Sequence, residues 1–134
     1  MSAASTSEGD ADSVLVVDAA NVVGSRPNGW WRDRPAAARA LVTQLHAATG
    51  AGQLRAPVIV VLEGAAKGGA DEGTMGGVTV VHADSDGDEA IVALAGRESR
   101  PVVLVSADRR LRSRVATHGA TAVGPSWLWS RIEA

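Results

Sequence analysis

Four short runs of β-branched residues and leucine constrain the fold of this chain more than any other feature. The runs are residues 14–17, 58–62, 78–81 and 102–105, and a weaker fifth run covers residues 120–123. Each of the four is continuously apolar and does not alternate with polar residues. Strands of this kind are covered on both faces, as in a parallel sheet between two helix layers.

Helical stretches separate these strands. Pro35 suits the first turn of a helix in which Leu41 and Leu45 share one face and Gly50 marks the end. Similar patterns predict helices over residues 88–97, from about residue 111 to 119, and after Pro125. The alternation predicts an α/β fold, a three-layer wound parallel sheet with helices on both faces and right-handed crossovers.

The glycine-rich residues 63–76 interrupt this alternation. We interpret them as a linker, with a mobile lid as the alternative. Residues 1–13 are small, polar and acidic, which predicts a disordered leader before a single domain over residues 14–134. There is no cysteine, no signal-peptide layout and no apolar run that could span a bilayer. We therefore expect a cytoplasmic protein with no membrane partner.

The charged residues are unevenly distributed, although the net charge is only −2. Residues 71–89 carry six acids and no lysine or arginine, whereas residues 97–114 carry six arginines against two acids, a net charge of +4. An acidic pocket beside basic flanks is the layout expected of a metal site that receives a polyanion. The alternative is that these charged side chains are simply exposed to solvent and bind no ligand.

Acidic residues follow three of the predicted strands. Asp18 ends the first strand, Asp88 follows the third at the start of a helix, and Asp108 follows the fourth. Parallel sheets bind ligands at the carboxyl ends of their strands, where these residues meet. Carboxylates this close repel one another unless a cation intervenes, and Mg²⁺ prefers oxygen ligands. The sequence therefore predicts a divalent-metal site formed by Asp18, Asp88 and Asp108.

Each acid also has a structural interpretation: Asp18 as a turn residue, the acids of residues 84–89 as first-turn residues favoured by the helix dipole, and Asp108 as the neighbour of an N-cap at Ser106. Asp84, Asp86 and Glu89 lie near Asp88, and Glu63 ends the second strand, so each is a further candidate. Ile91 and Leu94 must face the core, and they fix the rotation of the helix. Asp88 lies three residues before Ile91 and shares its side, whereas Glu89 points away. This geometry favours Asp88 as the metal ligand.

Three sequence blocks resemble the signatures of the PIN-like nuclease superfamily, and in particular its NYN-type domains. The blocks are VLVVDAANVVGS, SDGDEAI and VLVSADRRL, within residues 14–118. The resemblance implies strand order 3-2-1-4-5, a Mg²⁺ or Mn²⁺ site, and hydrolysis of phosphodiesters, usually in RNA. The catalytic positions of the family then fall on Asp18, Asn21, Asp88, Ser106 and Asp108. Asn21 and Ser106 would hold a water on the metal or a phosphate oxygen.

The chain departs from the family after the last aspartate, where such enzymes often carry another acid. Arginines stand here instead, which argues against a second metal ion. Arginines and one tryptophan are the candidates for binding substrate, through phosphate contacts and base stacking. They are Arg26, Trp31, Arg32, Arg109 and Arg112. We assign Trp127 and Trp129 to packing.

The sequence thus favours a metal-dependent ribonuclease with RNA as its partner. Two alternatives remain open: a metal-dependent hydrolase of nucleotide phosphoanhydrides, and a catalytically silent module that binds RNA or protein. A homodimer is also left open.

Overall fold

The computed structural model of the protein describes residues 12–133. Its strands are β1 Val14–Asp18, β2 Val58–Leu62, β3 Gly73–Met75, β4 Val78–His82, β5 Val102–Val105 and β6 Thr121–Val123. They form one sheet in the order β3-β4-β2-β1-β5-β6. All neighbouring strands are parallel except β3, which is antiparallel to β4. Without β3 the order is the expected 3-2-1-4-5, so the predicted fold class is confirmed.

The helices are α1 Ala19–Gly24, α2 Arg34–Gly50, α3 Gly87–Arg97, α4 Arg109–Ala116 and α5 Pro125–Ile132. Two 3₁₀ helices cover Trp30–Arg32 and Gly64–Gly69. Helices α2 to α5 correspond to the predicted ones, whereas α1 and both 3₁₀ helices were not predicted. None of the helices in the described part of the chain is long and apolar enough to cross a membrane.

The core lies on both faces of the sheet, as the continuous apolar runs required. In β1, Leu15 and Val17 pack with residues of α1, α2 and α5. The alternate residues Val14 and Val16 pack with residues of α3 and α4 on the opposite face. All four side chains are buried. The central strand is therefore held from both sides, and its carboxyl end has a fixed position.

Residues 63–76 are structured, so the linker interpretation is wrong. The 3₁₀ helix Gly64–Gly69 lies against α2, and Gly69 is so close that a Cβ there would collide with the carbonyl oxygen of Pro35. The chain then forms β3 and turns back through Gly76 and Gly77, both with positive φ. Glycine tolerates this conformation, and two-residue hairpins require it.

Of the predicted leader, residues 1–11 lie outside the described residues. Asp12 and Ser13 lie within them, and Ser13 is buried at the start of β1. At the other end of the strands, β1 lies between β2 and β5, with Val17 opposite Val105 and Asp18 opposite Val61. The segments that follow β1, β2 and β5 therefore emerge at one edge of the sheet, as predicted for the acidic residues.

Candidate functional site

Asp18 is the most deeply placed acid at this edge. It is the last residue of β1, caps α1, and is only 5% exposed. Its Oδ2 accepts a hydrogen bond from Ser106 Oγ at 2.9 Å, and its Oδ1 a longer one from the Asn21 amide at 3.4 Å. Burial raises the pKa of Asp18 to about 6, because desolvation outweighs both hydrogen bonds and nearby Asp88 and Glu63 add repulsion.

Ser106 and Asn21 connect the segment after β1 to the segment after β5. Ser106 is fully buried, and its Oγ also accepts the Asp108 amide at 3.1 Å. The Asn21 side-chain oxygen accepts the Ala107 amide at 2.8 Å. These two side chains therefore fix Asp18 and Asp108 relative to each other. Their hydrogen bonds run to the protein itself, so they position the site in this structure.

Asp108 and Asp86 each cap a helix beside Asp18. Asp108 Oδ1 accepts the Leu111 amide of α4 at 3.1 Å, and Asp86 Oδ1 accepts the Glu89 amide of α3 at 2.9 Å. Capping by Asp86 agrees with the sequence, whereas α4 is capped by Asp108 itself and not by Ser106. Capping does not remove Asp108 from the edge, because a carboxylate that accepts one amide keeps further lone pairs for another ligand.

Asp88 and its neighbour Glu89 point in different directions. The pKa of Asp88 is raised, first by desolvation and then by repulsion from Asp108, Asp86 and Glu63, while Arg114 partly offsets the rise. Glu89 instead forms an exposed ion pair with Arg114 at 2.9 Å. The α3 residues Ile91 and Leu94 are buried, as the predicted rotation requires. Asp88 therefore faces the other acids and Glu89 faces away from them.

Glu63 is the fourth acid at this edge. Its Oε1 accepts the Gly87 amide at the start of α3 at 2.9 Å. A Cβ at position 87 would collide with that same oxygen, so only glycine allows this approach. The sequence marked Glu63 as a candidate but gave Gly87 no role. The signal for it was a glycine between two acids in the first turn of a helix. We call Asp18, Glu63, Asp88 and Asp108 the acidic edge.

The acidic edge has the donor chemistry of a hard cation. It offers only carboxylate oxygens, and the pKa shifts show that its members repel one another. In residues 12–133, no three His, Cys, Asp or Glu side chains are placed to hold a metal ion together. Mg²⁺ commonly takes one or two protein carboxylates and fills its other positions with waters and substrate phosphates. The residues fit that kind of site.

Two of the five predicted substrate-binding residues form contacts within the protein. Arg26 makes a bidentate ion pair with Glu133 at 2.8 and 2.9 Å and lies 4.3 Å from the Trp129 ring centre. Arg112 donates to the Ala122 carbonyl at 3.2 Å. Both are thus engaged within the protein.

The other three are accessible. Trp31 is 51% exposed, with the Arg32 guanidinium 5.7 Å from its ring centre. Arg109 opens α4 directly after Asp108 and is exposed, as is Arg110. Within the described residues, the side chains of Arg109 and Arg110 form no ion pair or hydrogen bond. Arg114 acts electrostatically on Asp88 but is paired with Glu89, whereas Arg109 and Arg110 follow Asp108 directly in the chain and are open to a phosphate.

The sequence matches no protein-family model and has no significant match among curated proteins. Its structure, however, is similar to crystal structures of Rae1 (YacP) from Bacillus subtilis. A mutant of Rae1 gives a TM-score of 0.66 at 20% sequence identity, covering 90% of this chain and 75% of Rae1. A second Rae1 structure gives 0.62 at 22% identity, covering 90% and 73%. The chain therefore shares the fold of Rae1. At this level of identity the similarity concerns the fold alone.

Proposed function

We propose that this protein is a divalent-metal-dependent phosphodiester hydrolase that cleaves RNA. The observation that carries the proposal is the acidic edge, where four carboxylates from four different segments meet at the carboxyl end of β1. Desolvation and, to a smaller extent, mutual repulsion raise the pKa of Asp18 and Asp88, a cost that a stable fold does not need. A bound cation turns the repulsion into attraction.

The ion would be Mg²⁺ or Mn²⁺, held by one or two of Asp18, Asp88 and Asp108. When bound, it would supply a Lewis acid for the phosphoryl oxygen and lower the pKa of a water. Ser106 and Asn21 hold the carboxylates in place, so the edge does not have to reorganise on binding. Arg109 and Arg110, at the start of α4, would contact the flanking phosphates.

RNA is the substrate we favour because of the surface around the acidic edge. Exposed arginines lie on one side, and an exposed tryptophan is available to stack on an unpaired base. Single-stranded nucleic acids are bound by this combination of cations and aromatic rings. The three sequence blocks that resemble PIN-like nucleases point to the same substrate.

The test compares Asp88→Ala with Glu89→Ala in single-turnover cleavage of a labelled single-stranded RNA. The two residues are adjacent on α3, but only Asp88 faces the acidic edge. The parent and Glu89→Ala should cleave in Mn²⁺ and stop in EDTA, because an ion pair exposed to solvent contributes little to the structure of the edge. Asp88→Ala should be at least about 100-fold slower, since even indirect supports of a metal ligand are worth 10–100-fold.

The matched purification of both variants controls for contaminating nuclease. A dead Glu89→Ala with an active Asp88→Ala would contradict the assignment of the edge. The same proteins are also offered a nucleoside triphosphate. Hydrolysis of the triphosphate without RNA cleavage would indicate a phosphoanhydride hydrolase. RNA binding without either reaction would indicate a silent binding module.

A further inference from the structure

A small pocket opens beside the acidic edge, with a volume of about 130 Å³. It lies between α1, α2 and the two 3₁₀ helices. Its walls are mostly small side chains with one aromatic ring and one guanidinium, and they include Ala19, Ala20, Ala65, Ala66, Trp30 and Arg34. The walls are thus mainly apolar, unlike the edge next to them.

The pocket and the acidic edge are continuous. Ala19 in the pocket wall directly follows Asp18, and Glu63 both lines the pocket and binds the Gly87 amide at the edge. A group that enters the pocket is therefore next to any phosphate held at the edge. A larger pocket of about 170 Å³ involves Ser13 and Leu15 at the opposite end of β1, so the same nucleotide cannot reach it.

The shape and chemistry of the walls restrict the occupant. Pockets that enclose a whole small ligand usually measure roughly 300–1,000 Å³, so this one suits a single ring system. Alanine walls leave a narrow apolar space. Trp30 contributes an aromatic ring, with the Arg34 guanidinium 4.9 Å from its centre. Aromatic rings and arginine planes are the surfaces against which unstacked bases pack.

We propose that this pocket takes one unstacked nucleobase of the RNA strand, from the nucleotide whose phosphate meets the acidic edge. The proposal rests on the proposed function for that phosphate. Its sugar and phosphate remain outside, towards Asp18. Such a pocket favours an unpaired strand at the point of cleavage, because a base in a duplex would first have to be flipped out of the stack.

The test uses short single-stranded RNAs in which one abasic nucleotide is moved along the strand. Binding is measured by fluorescence anisotropy in EDTA, and cleavage by single-turnover kinetics in Mn²⁺. In the parent, one abasic position should lower the affinity by about tenfold, within the usual worth of a stacked base. Cleavage next to that position should slow to a similar extent.

Ala65→Leu is the variant that fills the pocket. Ala65 is exposed on the 3₁₀ helix Gly64–Gly69 and makes no part of the acidic edge. The Ala65→Leu substitution should weaken binding of intact RNA by about tenfold and remove the sensitivity to the abasic position. Ala47→Leu is the matched control, since Ala47 is exposed on α2 and outside the pocket. It should behave as the parent does.

A second pair of variants is needed if Ala65→Leu lowers the melting temperature, because weaker binding could then result from partial unfolding. Trp30→Leu removes the ring from the pocket and should abolish the effect of the abasic nucleotide next to the cleavage site. Trp31→Leu removes the neighbouring exposed ring, which does not line the pocket, and should leave the effect at that position unchanged. The pocket proposal is overturned if the parent tolerates an abasic nucleotide at every position, or if Trp30→Leu and Ala65→Leu keep the parent's sensitivity.

The two proposals fail separately. RNA cleavage without any abasic effect refutes the pocket and leaves the nuclease. Binding with the abasic effect but without cleavage refutes the nuclease and leaves a base-binding pocket. A parent that neither binds nor cleaves RNA refutes both.

Discussion

Replacing Asp18 by asparagine should stabilise the metal-free protein, although Asp18 makes two hydrogen bonds. Its pKa is raised from 3.8 to about 6 in the folded state, mainly by desolvation. At about 1.4 kcal/mol for each pH unit, the charged carboxylate lowers the free energy of unfolding at pH 7 by about 3 kcal/mol. Asparagine removes the charge and keeps an oxygen for the Asn21 amide. Its altered contact with Ser106 costs about 1 kcal/mol.

The gain in stability from Asp18→Asn should be large at neutral pH and should decrease as the pH falls. Above the folded pKa of about 6, Asp18 is charged in both states and its full cost is present. As the pH falls from 6 to 3.8, the folded protein takes up the proton first, and the cost disappears. The variant should therefore be more stable than the parent by about 1–3 kcal/mol at pH 7.5. At about pH 3.5 only the altered Ser106 contact remains, so the variant should be no more stable than the parent.

Thermal denaturation followed by circular dichroism in EDTA measures this difference. The expected rise in Tm at pH 7.5 is roughly 4–12 °C for a domain of this size. Asp33→Asn is the control, because Asp33 is an exposed cap of α2 that accepts the Ala36 amide at 3.1 Å. It should change the Tm little. Mn²⁺ should stabilise the parent and not Asp18→Asn. A variant that is less stable than the parent at pH 7.5 would refute the reasoning.

Two further predictions concern phosphate contacts and the packing of α3. Arg109→Ala combined with Arg110→Ala should make the plot of log affinity for single-stranded RNA against log salt concentration less steep by about 1.4, or about 0.7 for each lost phosphate contact. An unchanged slope would show that neither arginine contacts a phosphate. Gly87→Ala should lower the free energy of unfolding by about 1–3 kcal/mol in chemical denaturation, because its Cβ displaces Glu63 and leaves an amide unpaired. Gly50→Ala, with nothing within 4 Å of its Cβ, should instead be neutral or stabilising, and equal losses in both variants would contradict this explanation.

The sheet could be predicted because each of its buried strands is a continuous run of apolar residues in the sequence. β3 was missed because its three residues are all exposed and carry no such run. The Gly76–Gly77 pair that forms its hairpin was the available signal, since two adjacent glycines favour this turn. α1 was missed because it begins at the residue after β1 and includes two valines, which are weak helix formers.

The contacts within the site were less predictable than the acids themselves. The strand-end rule brought Asp18 and Asp108 to one edge, but it could not reveal that Glu63 accepts the amide of a residue 24 positions later. Arg26 was expected at the substrate because other arginines are near it in sequence. Its partner Glu133 is 107 positions away, and no local pattern indicates such a pair.

The aspartates of this fold have unequal value as markers of activity. Asp86 and Asp108 each cap a helix, so selection for a folded protein preserves them whether or not the chain is the nuclease proposed above. Asp18 also caps a helix, but asparagine can cap there without the cost of a buried charge. Asp88 caps no helix and accepts no hydrogen bond from the described residues. Desolvation and repulsion from neighbouring acids raise its pKa, so its charged form destabilises the fold. Under the proposed function, a lineage freed from catalysis should lose the aspartates at positions 18 and 88 first. Among relatives of this chain, these two positions would therefore separate enzymes from inactive descendants better than Asp86 or Asp108.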